Sequence, residues 1–124
     1  MIESEREPTQ VLAEASPMLA FEATAALYEE QPGLWKLGEP GRARTLEDFG
    51  RHFECLATLD RDQYAGYVRY CETLFDNHGF PRQWLTDAWR IMALVIRRRM
   101  PAPIAQVAID VLAAASGVSA QHPS

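Results

Sequence analysis

The side chains best suited to chemistry crowd into one stretch of the chain. Arg44, Asp48 and His52 recur at four-residue steps, with Arg51 and Cys55 close beside them. If the stretch is helical, they project as one stripe, apart from the apolar stripe of Leu46, Phe49 and Phe53. A carboxylate flanked by guanidinium groups can accept convergent N–H donors from a ligand, while the guanidinium forks grip a ligand's own carboxylates. The same spacing also describes a solvated helix face, where an Arg44–Asp48 pair contributes only roughly a few tenths of a kcal/mol. The wall of a polar pocket and an ordinary surface strip are the two readings.

His52 adds a third chemistry, because an imidazole can ligate haem or a metal ion. His78 falls at a helix end and His122 in the C-terminal tail, so neither supplies a second ligand, and no zinc-type spacing is present. No metal is expected. Cys55 and His52 could form a nucleophile–base pair, but no third group orients them and no oxyanion site is evident. The chain is therefore expected to be non-catalytic. Cys55 and Cys71 both fall in helical patterns and read as buried thiols rather than a disulfide. Trp35, Trp84 and Trp89, with Tyr64, Tyr67 and Tyr70, make a large aromatic set for 124 residues. Such rings usually fill a core; the sharper reading is the lining of a flat conjugated ligand.

Helices must position all of these groups. No segment alternates with period two, so no strand is expected. Residues 1–8 read as an acidic tail, 9–118 as one helical domain and 119–124 as a second tail. A first helical stretch could start near Thr9. Ser16-Pro17 then offers an N-cap and a proline at the first helical position of a helix running from Met18 to Glu30. Residues 32–42 hold Pro32, Gly33, Gly38, Pro40 and Gly41 and read as a loop. A second helix spans about Ala43 to Leu59. Asp60 and Gln63 form a capping-box pattern for the third, which ends at Gly79. Pro81 opens a fourth, whose apolar residues wrap more than half its circumference, as in a helix buried from two sides. Arg97, Arg98 and Arg99 complement its dipole. Ile104 to Ala115 forms the last, closed by Gly117. The pattern does not separate a bundle from a globin-type packing, which differ in crossing angles.

Composition narrows the function classes. The chain is 48% hydrophobic with net charge −5. One domain of this size can bury a core without disulfides or a structural metal, and the acidic balance argues against a nucleic-acid partner. No apolar run reaches the roughly 18 residues of a membrane span. The acidic start, with Glu3, Glu5 and Glu7, is the wrong charge for a secretory signal. A cytoplasmic protein with no membrane partner is expected. The broad apolar surface of the fourth helix also suggests a homodimer.

Several short motifs, in order, resemble the phycobiliprotein lineage of globins, in particular the bilin biosynthesis-associated globins of bacteria. They are Ala26-Leu27-Tyr28-Glu29-Glu30-Gln31-Pro32, then Arg44-Thr45-Leu46-Glu47-Asp48-Phe49-Gly50, then Glu72-Thr73-Leu74-Phe75 with the Gly79-Phe80-Pro81 turn. The resemblance implies an all-α, globin-like domain of about five helices, truncated at its N-terminus relative to antenna phycobiliproteins. It implies a carrier, store or sensor for a linear tetrapyrrole, either biliverdin or a reduced bilin such as phycocyanobilin. Asp48 would accept the pyrrole N–H groups and Arg44 would pair with a propionate. Arg51, His52, Tyr64, Tyr67 and Trp84 would complete the site, with Trp84 similar to an aromatic residue that packs near the chromophore. Thr45 stands where the lineage has its thioether-forming cysteine, so non-covalent binding is implied. Glu47 replaces the arginine that usually precedes the aspartate. The connection around Asp60 is about one turn shorter than in the antenna proteins, and most of their N-terminal helical pair is missing. Two alternatives stand beside this one. The first is a haem-binding globin with His52 as axial ligand. The second is a helical interaction domain, since an aspartate–aromatic pair followed by histidine also resembles the helical domains that precede cobalamin-binding modules.

Overall fold

The computed structural model describes residues 7–117, so the tail expected at 119–124 and most of the N-terminal one lie outside the described residues. The described chain is all-α, with five helices and no strand: α1 (Pro8–Glu30), α2 (Gly38–Leu56), α3 (Arg61–His78), α4 (Arg82–Arg99) and α5 (Ala102–Ser116).

The first helix departs from the sequence-based expectation. Ser16-Pro17 does not start a helix; it lies in the middle of one. Ser16 is buried and its hydroxyl donates to the Leu12 carbonyl at 3.0 Å, a back-bond within the helix rather than a cap. A proline inside a helix costs about 3 kcal/mol. Packing outweighs that cost here, because buried Leu12 precedes Pro17 while Leu19, Ala20 and Ala23 follow it, and all four join one core. The helix packs against α2 and α4. Arg99 reaches Glu22 at 2.7 Å, Arg90 pairs with Glu30, and Gln31 donates to Asp87 at 2.9 Å, so α4 holds α1 along its C-terminal half.

The expected loop at 32–42 is instead a 3-10 turn, Pro32–Leu37, running into α2 at Gly38. Pro40 is tolerated because it stands in the first turn, where its missing N–H would have no intrahelical partner. Gly41 is required by space: a Cβ there would lie 2.6 Å from the Leu37 Cβ. At its other end α2 stops at Leu56, short of the expected Leu59, which adopts a left-handed backbone with φ 55°. Asp60 then caps α3, accepting from the Gln63 backbone N–H at 2.9 Å; the reciprocal half of the capping box is replaced by Thr58, whose hydroxyl accepts from the Asp60 N–H at 3.3 Å. Gly79 ends α3 with φ 70°.

The core joins all five helices around α4. Trp89, Ile91, Met92 and Ile96 of α4 pack with Leu19, Leu56, Tyr64, Val68, Ile109 and Leu112. Most of the apolar surface of α4 is thus spent inside the molecule, against α1, α3 and α5, with Trp84 and Leu94 left exposed. Little of it remains for a dimer through this helix.

Candidate functional site

The predicted stripe on α2 divides in space. Four residues advance a helix by about 400°, so each step of four drifts by about 40°. Arg44 and Asp48 remain at the surface, with side chains 70% and 51% accessible, while His52, one step further, turns into the core. Arg51 stays outside and completes the charged strip. Its guanidinium lies 2.6 Å from Glu47 and 3.9 Å from Asp48, and Arg44 Nε lies 3.5 Å from Asp48. Burial raises the Asp48 carboxyl above its ordinary value, and the two arginines pull it back down.

His52 is enclosed by α3. Its Nε2 lies 3.8 Å from Cys71 Sγ, and the Tyr67 ring packs edge-on at a centroid distance of 4.9 Å. Burial pushes the imidazole down to about 4, so it is neutral near pH 7. Burial likewise pushes the Cys71 thiol up to about 11, although the neighbouring Tyr67 side chain draws it back. A neutral imidazole beside a protonated thiol is the reverse of an activated cysteine. The neighbour of His52 is Cys71, not the Cys55 that sequence spacing suggested. The hint was available, since Cys71 shares the apolar stripe of α3 with Tyr64 and Val68.

Tyr64 is fully buried and its phenol is pushed well above the ordinary range by burial. The Tyr64 hydroxyl, His52 Nδ1 and Trp89 Nε1 are buried without a hydrogen-bond partner. Tyr67 is half-buried and stacks on Tyr70 at 6.3 Å, and Tyr70 is 61% accessible. Tyr70 was not among the expected site residues; its place three residues after Tyr67 put it on the same helix face. Trp84 belongs to a different cluster. It packs against Phe80 at 5.6 Å, and Phe80 against Phe75, at the corner between α3 and α4. Thr45 turns toward α1, with its hydroxyl donating to the Gly41 carbonyl at 3.0 Å and lying 3.5 Å from the Tyr28 hydroxyl.

The side chains inward of Asp48 are His52, Tyr64 and Cys71, all buried, and the half-buried Tyr67, where an enclosed tetrapyrrole would need several hundred Å³. A recess of about 260 Å³ lies elsewhere, between α1 and α2, and none of the seven expected site residues lines it. What the structure brings together is an open face: Asp48 and Arg51 on α2 lie close enough for their charges to act on the Tyr67 phenol of α3, Arg44 pairs with Asp48, and Tyr70 stacks on Tyr67. Among the described residues no three His, Cys, Asp or Glu side chains could hold a metal ion, and no helix is long and apolar enough to cross a membrane.

Comparison with protein-family models, with curated proteins and with solved structures found no match to this chain.

Proposed function

We propose that this chain is a non-catalytic helical interaction domain that engages a partner protein through the α2–α3 face. The observation that carries this reading is the exposed Tyr70 ring, stacked on Tyr67 beside the Arg44–Asp48–Arg51 strip, over a closed interior. Tyrosine and arginine are the residue types in which interface binding energy concentrates. A face of this kind suits a partner that lies on the molecule and does not enter it. The similarity to helical domains preceding cobalamin-binding modules supports the same reading. The test is photo-cross-linking in cells from position 70, with Gln106 on α5 as the control position. An adduct of one defined mass with another protein, formed from position 70 alone, is expected. The same adducts from both positions would remove the proposal.

Asp48 favours a second reading on the same face. Its carboxyl is held between two guanidinium groups and partly withdrawn from water, which matches the pyrrole acceptor and propionate partner that the phycobiliprotein resemblance implies. The closed interior limits such a bilin to a surface pose, flat against Tyr67 and Tyr70 and without a covalent bond. Titration with biliverdin and phycocyanobilin tests this directly. A structured, red-shifted absorption band that Asp48→Asn weakens or shifts to the blue supports it, and an unchanged free-pigment spectrum ends it.

A further inference from the structure

The seam between α2 and α3 is a lightly held boundary of the fold, because α2 packs chiefly on α1 and α3 chiefly on α5. The connection between the two helices carries Leu59 in the left-handed region, with φ 55°, a backbone state that a bulky residue adopts only under constraint. Packing supplies the constraint, since the Leu59 side chain joins the edge of the core. His52 is set into this seam. Its Nε2 faces the Cys71 thiol, the Tyr67 ring lies edge-on beside it, and its Nδ1 is buried without a partner. The titratable groups turned toward it from α3 are thus a phenol and a thiol, both kept neutral by burial. On its own helix, Asp48 is engaged outside with Arg44 and Arg51, and Cys55 is a partly buried thiol. Among the described residues no charged group of α1, α4 or α5 acts on the imidazole, and burial alone lowers its titration.

We infer that this seam is an acid-released latch, in which a proton on His52 parts α2 from α3 and splits the face that the two helices share. A neutral imidazole fits the seam. An imidazolium carries two N–H donors, and the closed seam offers them only a thiol sulfur. Its charge would there be dry and unpaired. Once the seam opens, the ring meets water, and Asp48, four residues before it, can pair with it along the surface of α2. Opening also releases Leu59 from its constrained backbone. Arg44, Asp48 and Arg51 stand on one side of the seam and Tyr67 and Tyr70 on the other, so the separation takes the face apart. The consequence for a partner rests on the proposed reading of that face; the release of the seam does not.

Thiol labelling of the full chain carrying Cys55→Ser tests the inference, with Cys71 as the reporter. The rate with 4,4′-dithiodipyridine, divided by that of the urea-unfolded chain at the same pH, measures how often the seam opens. His52 titrates near 4 when enclosed and near 6.5 when exposed, so the open seam binds the extra proton and opening gains as the pH falls below 6.5. Relative to pH 7.5, the ratio is expected to rise about tenfold at pH 5.5 and about seventyfold at pH 4.5. His52→Phe and His52→Gln, each checked for wild-type helix content by circular dichroism, are expected to flatten that rise. Ala23→Cys, in a chain that also carries Cys55→Ser and Cys71→Ser, places a second reporter in the core of α1 and is expected to label far more slowly than Cys71. A ratio that stays level with pH overturns the inference, as does a rise that both His52 variants retain. Equal rates at positions 71 and 23 overturn it too, because the whole domain then opens together. The labelling needs no partner, so its outcome stands apart from that of cross-linking at position 70.

Discussion

Helix α2 presents two kinds of histidine-and-acid chemistry within a single turn, and the difference lies in what stands behind each group. Asp48 has water on one side and two guanidinium groups beside it, so its charge is retained and offered outward. His52 has Tyr67 and Cys71 around it, so its charge is suppressed and its role is to fill space. One residue pattern therefore yields an exposed charged strip and a structural plug, separated by a single four-residue step and about 40° of net rotation.

Mutations can break that contrast. The largest effect is expected on the inward side: Phe53→Ala, at a fully packed position, should lose about 3–5 kcal/mol in urea unfolding, whereas Arg51→Ala on the strip should lose under about 1 kcal/mol. A pH series should sharpen the contrast next. The folded His52 titrates near 4 and the unfolded side chain near its ordinary value of 6.5. Between those limits the unfolded chain binds the extra proton, so stability is complete above pH 6.5 and falls as the pH drops toward 4. Thermal unfolding should show this decline, and His52→Phe should flatten it. A midpoint that is level across the window, or a decline that His52→Phe leaves unchanged, would place His52 nearer to water. The smallest effect is expected at the recess between α1 and α2. Gly50→Ala has room for its methyl group and should stabilise the helix by about 1 kcal/mol, while leaving the α2–α3 face unaltered.

Much of the fold could be read from residue spacing. The Asp60–Gln63 cap, the glycine stop at Gly79 and the two-sided burial of α4 all follow from local chemistry, and the structure places each as expected. Ser16-Pro17 misled because the same dipeptide serves a helix start and a helix interior, and only tertiary packing on both sides decides between them. Residues 32–42 misled for a related reason: prolines and glycines that forbid a helix interior are compatible with a 3-10 turn and a first helical turn. The site was legible as a list but not as a place. Spacing put Arg44, Asp48 and His52 on one stripe, yet the slow rotation of that stripe moved the last member indoors. Trp84 was drawn in by its position after a turn, and the structure gives it to Phe80.

Pro17 leaves a mark on α1 beyond its unexpected location. Lacking an amide hydrogen, it cannot satisfy the Ala13 carbonyl, so the ladder of α1 is interrupted one turn before the segment that floors the recess between α1 and α2. Ser16 adds a second irregularity at the same level through its back-bond to Leu12. The helix is thereby supplied with a weak joint just where its outer surface meets α2. Continuity across that joint therefore depends less on the backbone ladder than on the buried residues flanking it, Leu12 on one side and Leu19 and Ala20 on the other, which the core holds in line.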